Sequence, residues 1–480
     1  MPQDPRRRAR RPQEDGATMD LIRMTATEIV GLLSRREVST GELLDALEAR
    51  IAAVDGPVNA LPTLCFDRAR GERSTSAPPL RGLPVAVKDL TAVAGVRTTY
   101  GSPIHADFVP ESSDWVADRI EDAGGVIYAK SNTPEFGAGA NTFNAVFGPT
   151  RNPWDLSKSA AGSSGGAAAA LKSGTAWLAH GSDLGGSLRN PASFCGIVGL
   201  RPSVGRVPNG PSADPFNTLS VEGPMARTVA DVALFLDALA QPDPRDPVAL
   251  PEPERPFARW AAEPTVPFRV AFSRDLGITP VDPEVADICA KAAKRLAGMG
   301  AVVEEAHPDF SGAHECFQTL RALGFAVAHA DRLRDHRDLL KEEVVWNTEK
   351  GLALTGAEIA RALTLRGAVV ARARAFFEFY DLLLCPATIA PPFPVEERWL
   401  KSCDGTTFDT YIDWLAIAYA PTLTGQPALS LPCGFTRDGL PVGLQMIGPP
   451  EGEGPLLSFA AALEAELGLD PRPIDPRGSA

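Results

Sequence analysis

"SAAGSSGGAAAALKSGTAWLAHGSDLGGSLRNPASFCG", residues 159–196, is the stretch on which the reading of this chain turns. Glycine–serine stretches ordinarily form flexible linkers, yet these are interleaved with alanines, a tryptophan, Asp183 and Arg189. The run "AAAALKSG" after Gly166 predicts a helix. Gly165 and Gly166 then sit at its N-terminus, where the helix dipole favours negative charge. In "DLGGS" (183–187) glycine has a second use. Lacking Cβ, it lets consecutive backbone N–H groups turn towards one point. The amides of Leu184, Gly185, Gly186 and Ser187 are expected to surround a carbonyl oxygen and stabilise the charge that develops on it.

A nucleophilic serine also needs a base. His180 is the one histidine in this stretch; it precedes a turn and reads as a surface or satisfied core residue. Gly162-Ser163-Ser164-Gly165-Gly166 formally matches G-x-S-x-G with Ser164 as nucleophile, but that elbow needs a hydrophobic strand immediately before it, and "WDLSKSAA" is a poor one. The remaining base is Lys88, at the end of "LPVAVKDL", an apolar strand that carries a cation into the interior. Burial disfavours the ammonium form, so a neutral amine becomes accessible. The competing reading is a surface pair with Asp89.

The surrounding pattern predicts an α/β fold, a mixed β-sheet core covered by helices on both faces. Thr25-Ala26-Thr27-Glu28 and Ser39-Thr40-Gly41-Glu42 each have the form of a capping box ahead of apolar residues at helical spacing, so structure is expected from about Met24. "LPVAVKDL", a helix from Trp115 to Ala123 and "GGVIYAKSN" read as a βαβ unit with parallel strands. "RVAFSRDLG", "DLLLCPATIAPP" and "PALSLPCG" supply further strands, and Asp282-Pro283-Glu284 opens a helix. Residues 240–264 are rich in proline and charge and read as a surface connection. The expected division is an N-terminal extension, 1–23, disordered or preceding a true start at Met19, then one domain, 24–475. Its catalytic core covers about 80–240 and an insert of about 305–420 shapes the substrate pocket.

Bulk properties narrow the function classes. The 480 residues are 44% hydrophobic, ample for a large core, although length alone suggests roughly three domains. A net charge of −13 argues against nucleic acid and anionic membranes as partners. The seven cysteines are dispersed without a C-x-x-C pair, which fits reduced thiols in a cytoplasm, and neither cysteines nor histidines show metal-ligand spacing. The arginine-rich start is not followed by the apolar segment of a signal peptide, and no apolar run approaches the ~20 residues of a membrane span.

"VKD" (87–89), "AAGSSGG" (160–166) and "GSDLGGSLRNPASFCGIVGLRPS" (181–203) together resemble the amidase signature family. "AKSNTPEFGAGANTFNAVFGPTRNPWD", "VEGPMARTVADVALFLDAL" and "LTGQPALSLPCGFTRDGLPVGLQMIG" are similar to further family segments, and the similarity spans roughly 80–240 and 376–450. The resemblance implies a Ser–cis-Ser–Lys triad. Ser187 is the nucleophile, and Ser163, on a non-proline cis peptide, relays its proton to Lys88. Asp183 and Arg189 hold the loop by structural hydrogen bonds and Ser164 supports the relay. No cofactor or metal is implied, and the family is biased towards dimers. Departures are few: Ala161 where glycine is common, Leu90 where a polar residue is frequent, and "GLRPS" for the usual Lys-Pro-Thr.

The implied activity is hydrolysis of the C–N bond of a small amide through an acyl-enzyme. Variable segments ("YGSPIHADF", "FGAGANTFNAVFG" and 311–420, with Phe317, Phe325, Trp346, Trp414 and Tyr419) are expected to build the pocket, "FDTYIDWLAIAYAPTLTG" as an amphipathic helix beside it. No charged pair stands out to bind a carboxylate, so neutral apolar substrates are expected: aryl amides, carbamates (urethanes) or esters. The alternatives are the ammonia-releasing component of a glutamyl-tRNA(Gln) amidotransferase, set against "FNTLSVEGPMAR" (216–227), and a non-catalytic binding protein, set against the presence of all three triad residues.

Overall fold

The structure, a computed structural model, describes residues 21–71 and 77–476. Its centre is an eleven-stranded sheet of β1 (Thr63–Leu64), β2 (Pro84–Lys88), β3 (Val126–Ser131), β4 (Leu178–Asp183), β5 (Val198–Arg201), β6 (Val221–Ala226), β7 (Arg269–Phe272), β8 (Val302–Glu305), β9 (Leu382–Pro386), β10 (Ala428–Phe435) and β11 (Pro441–Ile447). The spatial order is β1-β3-β2-β4-β6-β5-β10-β11-β9-β7-β8. β2 runs parallel to β3 and β4, whereas β6 runs antiparallel to β4 and β5, so the sheet is mixed. Helices flank it, and a continuous apolar core runs from Ile22 to Leu463.

The βαβ unit forms as its residues dictate. Every residue of β2 and β3 is buried, the pattern of parallel strands covered on both faces, with the helix Trp115–Asp122 between them. Both capping boxes form, Thr25 with Glu28 and Ser39 with Glu42. The chain is already helical at 21–23, ahead of the expected start at Met24. Ile22 is buried in the core and the Leu21 carbonyl accepts from Trp177 Nε1 at 3.1 Å, contacts invisible in the local pattern. The expected extension otherwise falls on residues 1–20, outside the described residues.

Two local expectations are corrected. "DLSKS" (Asp155–Ser159) is a strand after all, paired with Arg151–Asn152 in a two-stranded ribbon apart from the main sheet. The segment 408–425 is not an amphipathic helix: only Ala416–Thr424 is α-helical, and Ala416 to Leu423 are all buried because the helix passes through the interior. Among the described residues no helix is long and apolar enough to cross a membrane, and no cluster of metal-ligating side chains occurs.

Candidate active site

Lys88, the last residue of β2, is fully buried. Its Nζ lies 2.7 Å from Ser163 Oγ, 2.9 Å from Ser164 Oγ and 3.0 Å from Ser182 Oγ. Burial lowers its pKa to about 7, against the opposing pull of the Glu222 and Asp183 carboxylates. The expected competitor, a Lys88–Asp89 pair, does not form: Asp89 instead meets Lys130 of β3 at 3.1 Å, a second buried lysine held also by the Thr91 carbonyl and Thr98 Oγ1.

The serine loop is positioned by close packing. The Gly162–Ser163 peptide is cis. Ala161 adopts φ +56, the left-handed region that glycine enters freely. Its N–H donates to Ser159 Oγ at 2.9 Å and its carbonyl accepts from Thr142 Oγ1 at 2.7 Å. The helix Gly165–Ser173 can approach the chain after β3 only because Gly166 lacks a side chain: a Cβ there would lie 2.3 Å from the Asn132 nitrogen and 2.7 Å from the Ala60 carbonyl oxygen.

Ser187 and Leu184 are partly exposed, unlike the buried residues around them. The Ser164 N–H donates to the Ser187 carbonyl at 3.3 Å, so the two serine loops are tied by their backbones. Asp183 sits beneath, its carboxylate accepting from Arg189 Nε and Nη2 at 3.0 and 2.9 Å and from Arg201 Nη1 at 3.2 Å. These guanidinium groups, with the Gly186 amide, hold its pKa well below the usual carboxylate range although burial opposes them.

That carboxylate corrects the expected oxyanion pocket. Gly186 has φ +106, and its N–H donates to Asp183 Oδ1 at 2.9 Å. The left-handed turn directs this amide inward, so Gly186 stabilises the loop. Among the described residues the amides of Leu184, Gly185 and Ser187 have no acceptor.

A cavity of about 370 Å³ borders this cluster at Ser182, with Leu90 beside it. Gly137 closes the gap to Ser163: a Cβ there would stand 3.1 Å from Leu90 Cδ1 and 3.5 Å from Ser163 Oγ. The cavity wall carries Asp114, Asp214, Glu222 and Asp246; of the segments expected to build the substrate pocket only Ala328 lines it, and Ser187 does not. Burial raises the Asp114 pKa to about 6, with Glu222 adding to it. The aromatic residues divide: Phe317 stacks on Tyr419 at 4.1 Å and lies against Gly185, whereas Trp414 packs with Phe194 and Phe393 in the core. Phe325 meets His329 and Trp346 meets Tyr411.

His180 is buried in β4, its Nε2 2.8 Å from Glu222 Oε2, so it belongs to the core. Sequence reasoning missed Ser182, Glu222, Gly137, Arg201 and the Asp89–Lys130 pair. Ser182 and Arg201 lay inside the quoted motifs; Glu222 is recognisable only once β6 is known to lie beside β4.

A mixed sheet that delivers a buried lysine amine to paired serines beneath a glycine-rich turn is the architecture of an amide-hydrolysing enzyme. The chain belongs to the amidase family, whose model matches residues 42–457, and its structural neighbours are amidase signature enzymes. It is 35% identical to an acylamidase of Rhodococcus erythropolis, the match covering 94% of this chain and 97% of that one. It is 37% identical to the A-type component of the glutamyl-tRNA(Gln) amidotransferase of Moorella thermoacetica, covering 93% and 97%. The crystal structure of a bacterial aryl acylamidase superposes with a TM-score of 0.85 at 27% identity, covering 92% and 96%.

Proposed function

We propose that this chain is a free-standing amidase that cleaves neutral amides, aryl amides and carbamates foremost, through an acyl-enzyme on Ser187. Neutral Lys88 takes the Ser163 hydroxyl proton as Ser163 takes that of Ser187, and Ser187 Oγ attacks the substrate carbonyl. The Leu184, Gly185 and Ser187 amides receive the oxyanion, each donor contributing ~2.7–4 kcal/mol in comparable sites. The relay then returns the proton to the leaving nitrogen, the C–N bond breaks, and water repeats the sequence to release the acid. Ser164 and Ser182 hold the lysine amine in line, and Asp183 with Arg189 holds the turn. The observation that carries this reading is the Lys88–Ser163 contact of 2.7 Å in a fully buried setting.

Neutral amide substrates are supported by the likeness to an acylamidase at 35% identity and to the structure of a bacterial aryl acylamidase. A second reading, glutamine hydrolysis as one component of an amidotransferase, is favoured by the relative at 37% identity. The test compares the purified chain and its Ser187→Ala variant on a nitroanilide, a matched aryl carbamate and glutamine. Anilide or carbamate turnover that the variant loses is the expected result; glutamine cleavage alone, or activity only with added partner proteins, establishes the second reading.

A further inference from the structure

Glu222 has no part in the chemistry above, yet its place in the sheet is specific. β6 pairs antiparallel with β4 so that Glu222 stands directly opposite Ser182, and His180 stands opposite Pro224. Directly opposed residues, and those two apart on one strand, share a face. Glu222, Ser182 and His180 therefore point to the same side, where Ser182 Oγ accepts from Lys88 Nζ at 3.0 Å. Glu222 also lines the cavity, and His180 Nε2 is 2.8 Å from its Oε2. Its side chain is 14% exposed, so solvent screens its charge only weakly.

We propose that Glu222 is a positioning residue for the amidase reaction: standing opposite Ser182, it sets a negative charge behind that residue that favours the protonated form of Lys88 through which the relay must pass. This rests on the reading of Lys88 as the base. An amine buried with hydroxyls alone takes up a proton poorly, and with it loses driving force to deprotonate the serine relay. A carboxylate close by, but not bonded to the amine, restores proton affinity without blocking Nζ.

The other charges around Lys88 do not replace it. Asp183, at the end of β4, also favours the ammonium form but is matched by Arg189 and Arg201. Asp89 is committed to Lys130 of β3. Asp114 lines the same cavity as Glu222 and accepts from the Ala92 N–H at 2.8 Å. Burial is the largest influence on Lys88, and Glu222 stands first among the charges that oppose it.

The test is the pH dependence of kcat and kcat/KM on one amide substrate for the wild type, Glu222→Gln and Glu222→Asp, with thermal midpoints recorded alongside. Glu222→Gln is expected to move the acid limb of kcat/KM down by roughly one pH unit. The fraction of its own plateau retained at pH 5 then rises about tenfold, because that limb follows the neutral amine. Glu222→Asp, which retains the charge slightly withdrawn, moves the limb the same way by less, and carries the test if the glutamine variant does not fold. An unmoved limb, or a uniform loss of kcat at every pH, overturns the proposal. Absence of Ser187-dependent turnover in the wild type overturns the amidase reading instead.

Discussion

At the scale of single residues, the proposed chemistry rests on what burial does to Lys88. The sequence places a lysine at the end of an apolar strand; the structure surrounds its Nζ with the hydroxyls of Ser163, Ser164 and Ser182 and brings its pKa to about 7. The protonated amine cannot act as base, so kcat/KM of the wild type is expected to fall about tenfold per unit below pH 7 and level off above it. A rate profile falling on the alkaline side of pH 7 contradicts this. Lys88→Ala is expected to lower kcat by about 10²–10⁴-fold, the usual worth of a general base, with circular dichroism unchanged. Near-normal kcat in that variant removes the lysine from the relay.

At the scale of elements, the turn after β4 and the helix Gly165–Ser173 are held by different physics. Asp183 joins the turn to two buried guanidinium groups, and removing its charge leaves both uncompensated. Asp183→Ala is therefore expected to cost about 3–5 kcal/mol in a denaturant titration, and a change below about 1 kcal/mol contradicts the assignment. Because its folded pKa is depressed, this stability is complete above the ordinary aspartate range near pH 4 and is lost as the pH falls from there towards the folded value. The helix depends on space: Gly166→Ala places a methyl 2.3 Å from the Asn132 nitrogen, with an expected cost of about 1–3 kcal/mol and a matching drop in denaturation midpoint. An unchanged midpoint shows that the chain after β3 yields to the helix.

At the scale of the whole molecule, the readable parts of the sequence were those whose information is local. The capping boxes, the apolar strands β2 and β3 and the helix between them each follow from short-range pattern and formed as it implies, whereas the Lys88–Ser163 contact joins residues 75 apart. What stayed hidden depends on distant pairings. Glu222 has meaning only because β6 lies antiparallel to β4; Leu21 is ordered by Trp177, and the helix Ala416–Thr424 is enclosed by elements far away in the chain. The Gly186 amide was misassigned because its direction depends on the left-handed turn above Asp183. The acidic cavity likewise gathers Asp114, Glu222 and Asp246 from three separate segments. The proposed free-standing activity predicts that the purified chain hydrolyses an anilide at a rate that added partner proteins do not change.

The most direct measurement is intact-mass and peptide-mapping mass spectrometry of the chain acid-quenched during turnover of a slowly deacylated aryl ester or carbamate. The expected result is a single acyl adduct on the peptide carrying Ser187, absent from Ser187→Ala. An adduct on Ser163 or Ser164, or turnover that survives in Ser187→Ala, contradicts the assignment of Ser187 as nucleophile.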